Sequence, residues 1–181
     1  MTKAVKSSAL VVAALWVGVL FCLGFVLAPY LFALAARHNP AVPNTGVAAD
    51  LIGPLLYSSD VVGLVVGAGL LPALLFLRRR GEVPLAGKLY LSEAGVLLAV
   101  LCASVNYWIL TPWLKGVQGQ LAERYGGFHQ ADKADPLFQQ FTGLHQTSTA
   151  VFMIGFVAAL ICLVCMTQFR SRAAAPRSHP A

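Results

Sequence analysis

Four long apolar stretches constrain this chain more than any other feature. They run from about Ala9 to Ala36, Leu51 to Leu77, Leu89 to Leu114 and Thr147 to Phe169. A helix needs about 20 apolar residues to cross the hydrocarbon core of a bilayer, and each stretch is long enough. Lipid offers no partner for a backbone amide or carbonyl, so a spanning segment is a helix or part of a closed barrel. Barrel strands alternate polar and apolar residues, and these stretches do not. The sequence predicts an all-α integral membrane protein: a four-helix antiparallel transmembrane bundle. It forms a single domain over 1–172, with a disordered tail over 173–181. Composition excludes other classes. Of 181 residues, 58% are hydrophobic and 11% are charged, with a mean hydropathy of +0.73. A soluble domain carries about 25% charged residues, and a disordered chain is poor in apolar ones.

The first stretch has the outline of a cleaved signal, with Lys3 and Lys6 before it and Ala33-Leu34-Ala35 near its end. Signal cores are only about 7–15 residues long, and Pro29 and Phe32 sit where a processed end would fall. It reads as a retained helix. Lys and Arg then set the orientation. Lys3, Lys6, Arg78, Arg79, Arg80, Lys88, Arg170, Arg172 and Arg177 fall on one side, and Arg37, Lys115, Arg124 and Lys133 on the other. The positive-inside rule places both termini in the cytoplasm, with the chain in the cell inner membrane. The net charge of +6 thus reads as topology and contact with the lipid bilayer. No basic face for nucleic acid is visible.

The connecting segments have turn chemistry. Residues 37–47 hold Pro40, Pro43, Asn44 and Gly46, and residues 78–88 make a short basic hairpin. Trp113 to Tyr125 continues the third helix beyond the bilayer. Gly126 and Gly127 stop it, and Asp135-Pro136 starts the last helix. Small residues mark where helices approach closely. They are Ala14, Gly18 and Cys22 in the first span, Gly63 and Gly67 in the second, Gly95, Ala99 and Ala103 in the third, and Ser148, Gly155 and Ala159 in the fourth. These stripes pack helices within one chain or build a homo-oligomer interface. Pro54 and Pro72 should bend the second span.

Polar residues inside a membrane are costly and are candidates for function. Asp60 lies roughly 25 Å along its helix from Leu77, near the outer boundary. Asn106 and Thr111 lie in the outer part of the third span, and His145, Gln146, Thr147 and Ser148 open the fourth from the same side. One reading is an exterior-side polar pocket around Asp60, Asn106, His145 and Ser148, with His145 as the best single metal candidate. The other is that helix ends are polar where water begins, with Asn106 and Ser148 as interhelical hydrogen-bond glue. Glu93, near the cytoplasmic end, is expected to pair with Lys88 or Arg80. Trp108 and Trp113 suit an outer aromatic belt, while Trp16 lies deeper and packs between helices.

Cys22, Cys102, Cys162 and Cys165 all fall in spans, so no disulfide framework is visible. The Cys162-x-x-Cys165 pair has no histidine near it and reads as packing. His38 and His129 lie in loops and only His145 sits on a helix, which argues against a bis-histidine haem and leaves a single-ligand site open. No phosphate loop, dinucleotide fingerprint or HExxH motif occurs. No cofactor is predicted, although metal and haem are not excluded.

Certain motifs in order resemble a known family. The first span reads Leu15-Trp16-Val17-Gly18 and then Gly24-Phe25-Val26-Leu27-Ala28-Pro29-Tyr30-Leu31-Phe32. The third contains Asn106-Tyr107-Trp108-Ile109-Leu110-Thr111-Pro112, and the fourth opens Phe141-Thr142-Gly143-Leu144-His145-Gln146-Thr147-Ser148. Over about residues 9–169 this resembles the transmembrane protein 205-like family, bacterial domain of unknown function 4149. The resemblance implies a four-helix membrane protein without established catalysis, with Trp16, Gly18, Pro29, Phe32, Asn106, Pro112, Phe141, His145 and Ser148 as the matching positions. A looser similarity links the chain to the copper-resistance D membrane family and to membrane protoporphyrinogen oxidases. Those use helix-borne histidines, and the first span here has none. Three functions follow as expectations. The first is a noncatalytic or accessory membrane protein with a membrane partner protein. The second is small-solute, lipid or metal handling through the polar pocket, and the third is a haem-dependent membrane redox enzyme.

Overall fold

The computed structural model describes residues 2–38, 45–80, 86–126 and 130–171. The tail over 173–181, residues 39–44 and 81–85 of the two turn-rich loops, Gly127 and His129 lie outside the described residues. All the long elements described are helical: α1 (Thr2–Phe21), π1 (Cys22–Leu27), α2 (Ala28–His38), α3 (Thr45–Arg79), α4 (Ala86–Val105), π2 (Asn106–Leu110), α5 (Thr111–Tyr125) and α6 (Pro136–Ser171). Elements α1, π1 and α2 form one rod, and α4, π2 and α5 another. Four segments are long and apolar enough to cross a membrane: Lys3–Leu34, Gly53–Arg79, Gly87–Tyr125 and Pro136–Gln168.

The two π segments have a sequence cause. A proline has no N–H and its ring collides with the carbonyl four residues earlier. Pro29 and Pro112 put that collision at Phe25 and Trp108, inside π1 and π2. The turn widens to relieve it, and bonds run five residues back: Ala28 N–H donates to Leu23 O and Thr111 N–H to Asn106 O. Leu27-Ala28-Pro29-Tyr30-Leu31 and Leu110-Thr111-Pro112-Trp113-Leu114 have the same pattern, so one device appears twice. Helix α3, in contrast, continues as α-helix through both Pro54 and Pro72.

Helix α4 lies against α6 and α3, and α1 closes against α3 and α6. The shared core holds Ala13, Trp16, Leu70, Leu74, Val96, Ala159 and Cys162. Small residues set the approach as expected at Gly63, Gly67, Gly95, Ala99, Ala103, Gly155 and Ala159, which are all buried. The first span differs. Ala14, Gly18 and Cys22 are exposed, and Ala9, Ala13, Trp16, Val17 and Leu20 turn inward instead. Trp16 takes the inner face, and the small-residue stripe lies on the other side. At the cytoplasmic end expected from charge, Glu93 pairs with Arg78 at 3.1 Å and with neither Lys88 nor Arg80. Arg78 also lies over the Tyr90 ring, Lys88 bonds Gln168 and Arg80 lies over Phe76.

Past the second π segment, α5 packs Val117 and Leu121 on Leu144, Phe138 and Phe141 of α6. Gly126 ends α5 in the left-handed region at φ 73°, where glycine has no steric penalty. Asp135 caps α6: its Oδ1 accepts from Leu137 N–H at 2.7 Å. Its Oδ2 accepts from Tyr125 OH and Arg124, both at 2.6 Å. These bonds favour the charged form, so Tyr125, the Leu137 amide and Arg124 together hold the carboxyl below its ordinary value of 3.8. A lowered folded-state value stabilises the fold above the unfolded value and loses that contribution as pH falls through the folded one. The α5–α6 clasp is therefore expected to persist at 3.8 and to open only at lower pH. A carboxyl-carbon NMR titration of Asp135 should show a midpoint below 3.8, and Tyr125→Phe should move it up toward that value. A midpoint at 3.8 in both proteins would refute the clasp.

Candidate functional site

Asp60, Asn106 and Ser148 come from three different helical rods and meet between them. Asn106 opens π2 and is buried, at 3% exposure. Its side-chain amide makes two bonds to one residue: Nδ2 donates to Ser148 O at 3.4 Å, and Oδ1 accepts from Ser148 Oγ at 3.1 Å. Its amide also interacts with the Asp60 carboxyl group, which borders the same cavity. Asn106 thus joins α3 to α6. Asp60 is buried at 9% exposure, and its neighbour Ser59, at 2%, donates to Leu56 O at 2.6 Å. A carboxamide suits this position because it has both donors and an acceptor.

Trp16 supplies a fourth group. The side chain is 3% exposed, and among the described residues no acceptor reaches its Nε1. Gly63 makes room beside it: a Cβ there would lie 3.6 Å from Nε1 and 3.4 Å from the Ala103 Cβ. Trp16, Asp60, Asn106 and Ser59 border one small cavity, together with Cys102 and Phe152. Its volume, taken as the space open to the centre of a water molecule, is about 20 Å³. No Lys, Arg or His lines it among the described residues.

His145 stands apart. It is exposed on α6, and its ring stacks on Phe141 with centroids 6.1 Å apart and planes within 6°. On an α-helix a residue three positions away is displaced by about 60° around the axis. That places His145 on the outside while Ser148 turns toward Asn106. The structure therefore joins Asp60, Asn106 and Ser148 and does not bring His145 to them. Of the other motif positions, Gly18, Pro29, Phe32 and Pro112 are exposed and Phe141 is half-buried. Their visible role is in the rods: the prolines set the wide turns.

The outer layer continues in aromatic contacts. Tyr57 stacks on Tyr107 at 4.7 Å, and Lys115 lies 4.8 Å over the Tyr57 ring. Trp108 and Trp113 are exposed at 69% and 52%, as an interfacial belt requires. Cys162 and Cys165 are buried in α6, where Cys162 contacts Met166 at 3.7 Å. Among the described residues no three His, Cys, Asp or Glu side chains gather as metal ligands. The member of the site that sequence reasoning missed is the Trp16 N–H. Its packing between helices was legible, but its place beside Asp60 with an unpartnered N–H was not. Comparison with family models, curated proteins and solved structures finds no match for this chain.

Proposed function

We propose that this chain is a noncatalytic inner-membrane protein that serves as an accessory subunit. Its four spans would run antiparallel with both termini cytoplasmic, as its Lys and Arg distribution favours. The small polar centre between the helices carries this reading. Asn106 bonds Ser148 and interacts with Asp60, and the space beside them is about 20 Å³. Ligand pockets for organic molecules are about 300–1,000 Å³. The polar groups serve to lock helices together, and the outward apolar side chains, such as Leu15, Val65 and Leu101, meet lipid or a partner's helices. Membership of the transmembrane protein 205-like family is part of the same proposal, supported by the motif order already described.

A second reading is small-solute or metal handling at this centre, favoured by Asp60 and the Trp16 N–H facing one cavity. Native mass spectrometry with metal analysis after gentle purification separates the two. The accessory reading expects wild type, Asp60→Asn and His145→Ala to carry the same lipids, metals and oligomeric state. A bound species lost only in Asp60→Asn would replace it with the handling reading. A species lost only in His145→Ala would move the site to the α6 surface. An absorption spectrum with a haem Soret band would instead establish the redox alternative.

A further inference from the structure

We propose that the cavity where the four spans cross is a binding site for one water molecule, which accepts the Trp16 indole N–H and donates to the Asp60 carboxyl group. Three observations carry this. The first is size. A water needs about 10–15 Å³ of such space and two to four polar partners, and this cavity offers about 20 Å³. The second is the Trp16 Nε1–H, a buried donor on a side chain 3% exposed with no acceptor among the described residues. The third is the balance of donors and acceptors. Trp16 can only donate, and a carboxyl group offers an acceptor oxygen in either protonation state. Ser59 spends its proton on Leu56 O, so its oxygen faces the site as an acceptor.

An occupant between these groups must accept from Trp16 and donate to Asp60. Water does both. A bare cation would oppose the indole N–H, an anion would oppose Asp60, and an organic group exceeds the volume. The space is made by the missing side chains of Gly63 and Gly155, which border it on α3 and α6. This inference rests on the small polar centre proposed above and names what completes it.

The test is proton cross-relaxation between water and the Trp16 indole N–H in the full chain, labelled with ¹⁵N-tryptophan in lipid nanodiscs. Trp16→Phe assigns the resonance against Trp108 and Trp113. Wild type is expected to give a direct water cross-peak at Trp16. Gly63→Ala fills the cavity with a methyl group at ordinary contact distances and should abolish the cross-peak, leaving those of Trp108 and Trp113 unchanged. Asp60→Asn keeps an acceptor and should retain it. A folded wild type without the cross-peak would overturn the proposal. So would an undiminished cross-peak in Gly63→Ala, or its loss in a folded Asp60→Asn. The stability of Asn106→Leu tests the polar centre independently, so either idea can fail without the other.

Discussion

Gly95→Val is expected to cost about 3 kcal/mol and to separate α4 from α6. Overpacking a tight contact costs about 1–3 kcal/mol, and this position is at the upper end because its neighbour is backbone. A Cβ on Gly95 would lie 2.7 Å from the Ala158 carbonyl oxygen and 3.2 Å from the Cys162 Cβ. A flexible side-chain tip could swing aside, but a carbonyl in a helix can move only with its helix. In lipid the attraction between helices comes largely from such close contact, so nothing offsets the separation. Thermal unfolding in mild detergent, followed by gel filtration, gives the readout. Gly69→Ala is the control, because a Cβ there meets nothing within 4 Å. It should be neutral or stabilise by about 1 kcal/mol through helix propensity. Equal melting temperatures for Gly95→Val and wild type would mean that α4 and α6 do not touch as described.

Asn106→Leu should produce the second large loss, about 2 kcal/mol. The substitution keeps approximate size but leaves the Ser148 hydroxyl without its partner and takes the amide away from the buried Asp60 carboxyl group. Stranding a buried polar group costs about 1–3 kcal/mol. Ser148→Ala removes the serine's side-chain bond alone, and single interhelical hydrogen bonds in membranes average about 0.6 kcal/mol, so its effect should be several-fold smaller. The double variant gives the decisive measurement. If the bonds act as one unit, Asn106→Leu with Ser148→Ala should be little worse than Asn106→Leu alone. Full additivity would show that the two side chains are not coupled.

The spans were legible because bilayer thickness fixes their length and lipid fixes their hydropathy. The stop at Gly126 and the cap at Asp135 were legible because turn and cap chemistry is local. Which face of each span points inward was not. In water an amphipathic stripe marks the buried side of a helix. In a membrane the inner and outer faces are both apolar, so the stripe disappears. Ala14, Gly18 and Cys22 have the spacing of a packing stripe yet face outward, while Trp16 fills the interior. His145 shared a level with Asn106, but level along an axis says nothing of direction around it. Glu93 had three arginines and a lysine within reach in sequence, and only the meeting of α3 with α4 selects Arg78.

The wide turns at Cys22–Leu27 and Asn106–Leu110 also alter the phase of the rods that contain them. A turn bonded five residues back holds about one residue more than its neighbours, and one residue is worth about 100° of rotation. The segment beyond each proline is thus rotated against the segment before it. In the rod built from α4 and α5 the offset falls between two partners. One length docks Val96 and Ala99 in the shared core, and the other presents Val117 and Leu121 to the start of α6. The proline works as a phase adjuster: one continuous rod keeps two separate appointments with the same neighbour, one before the wide turn and one after it.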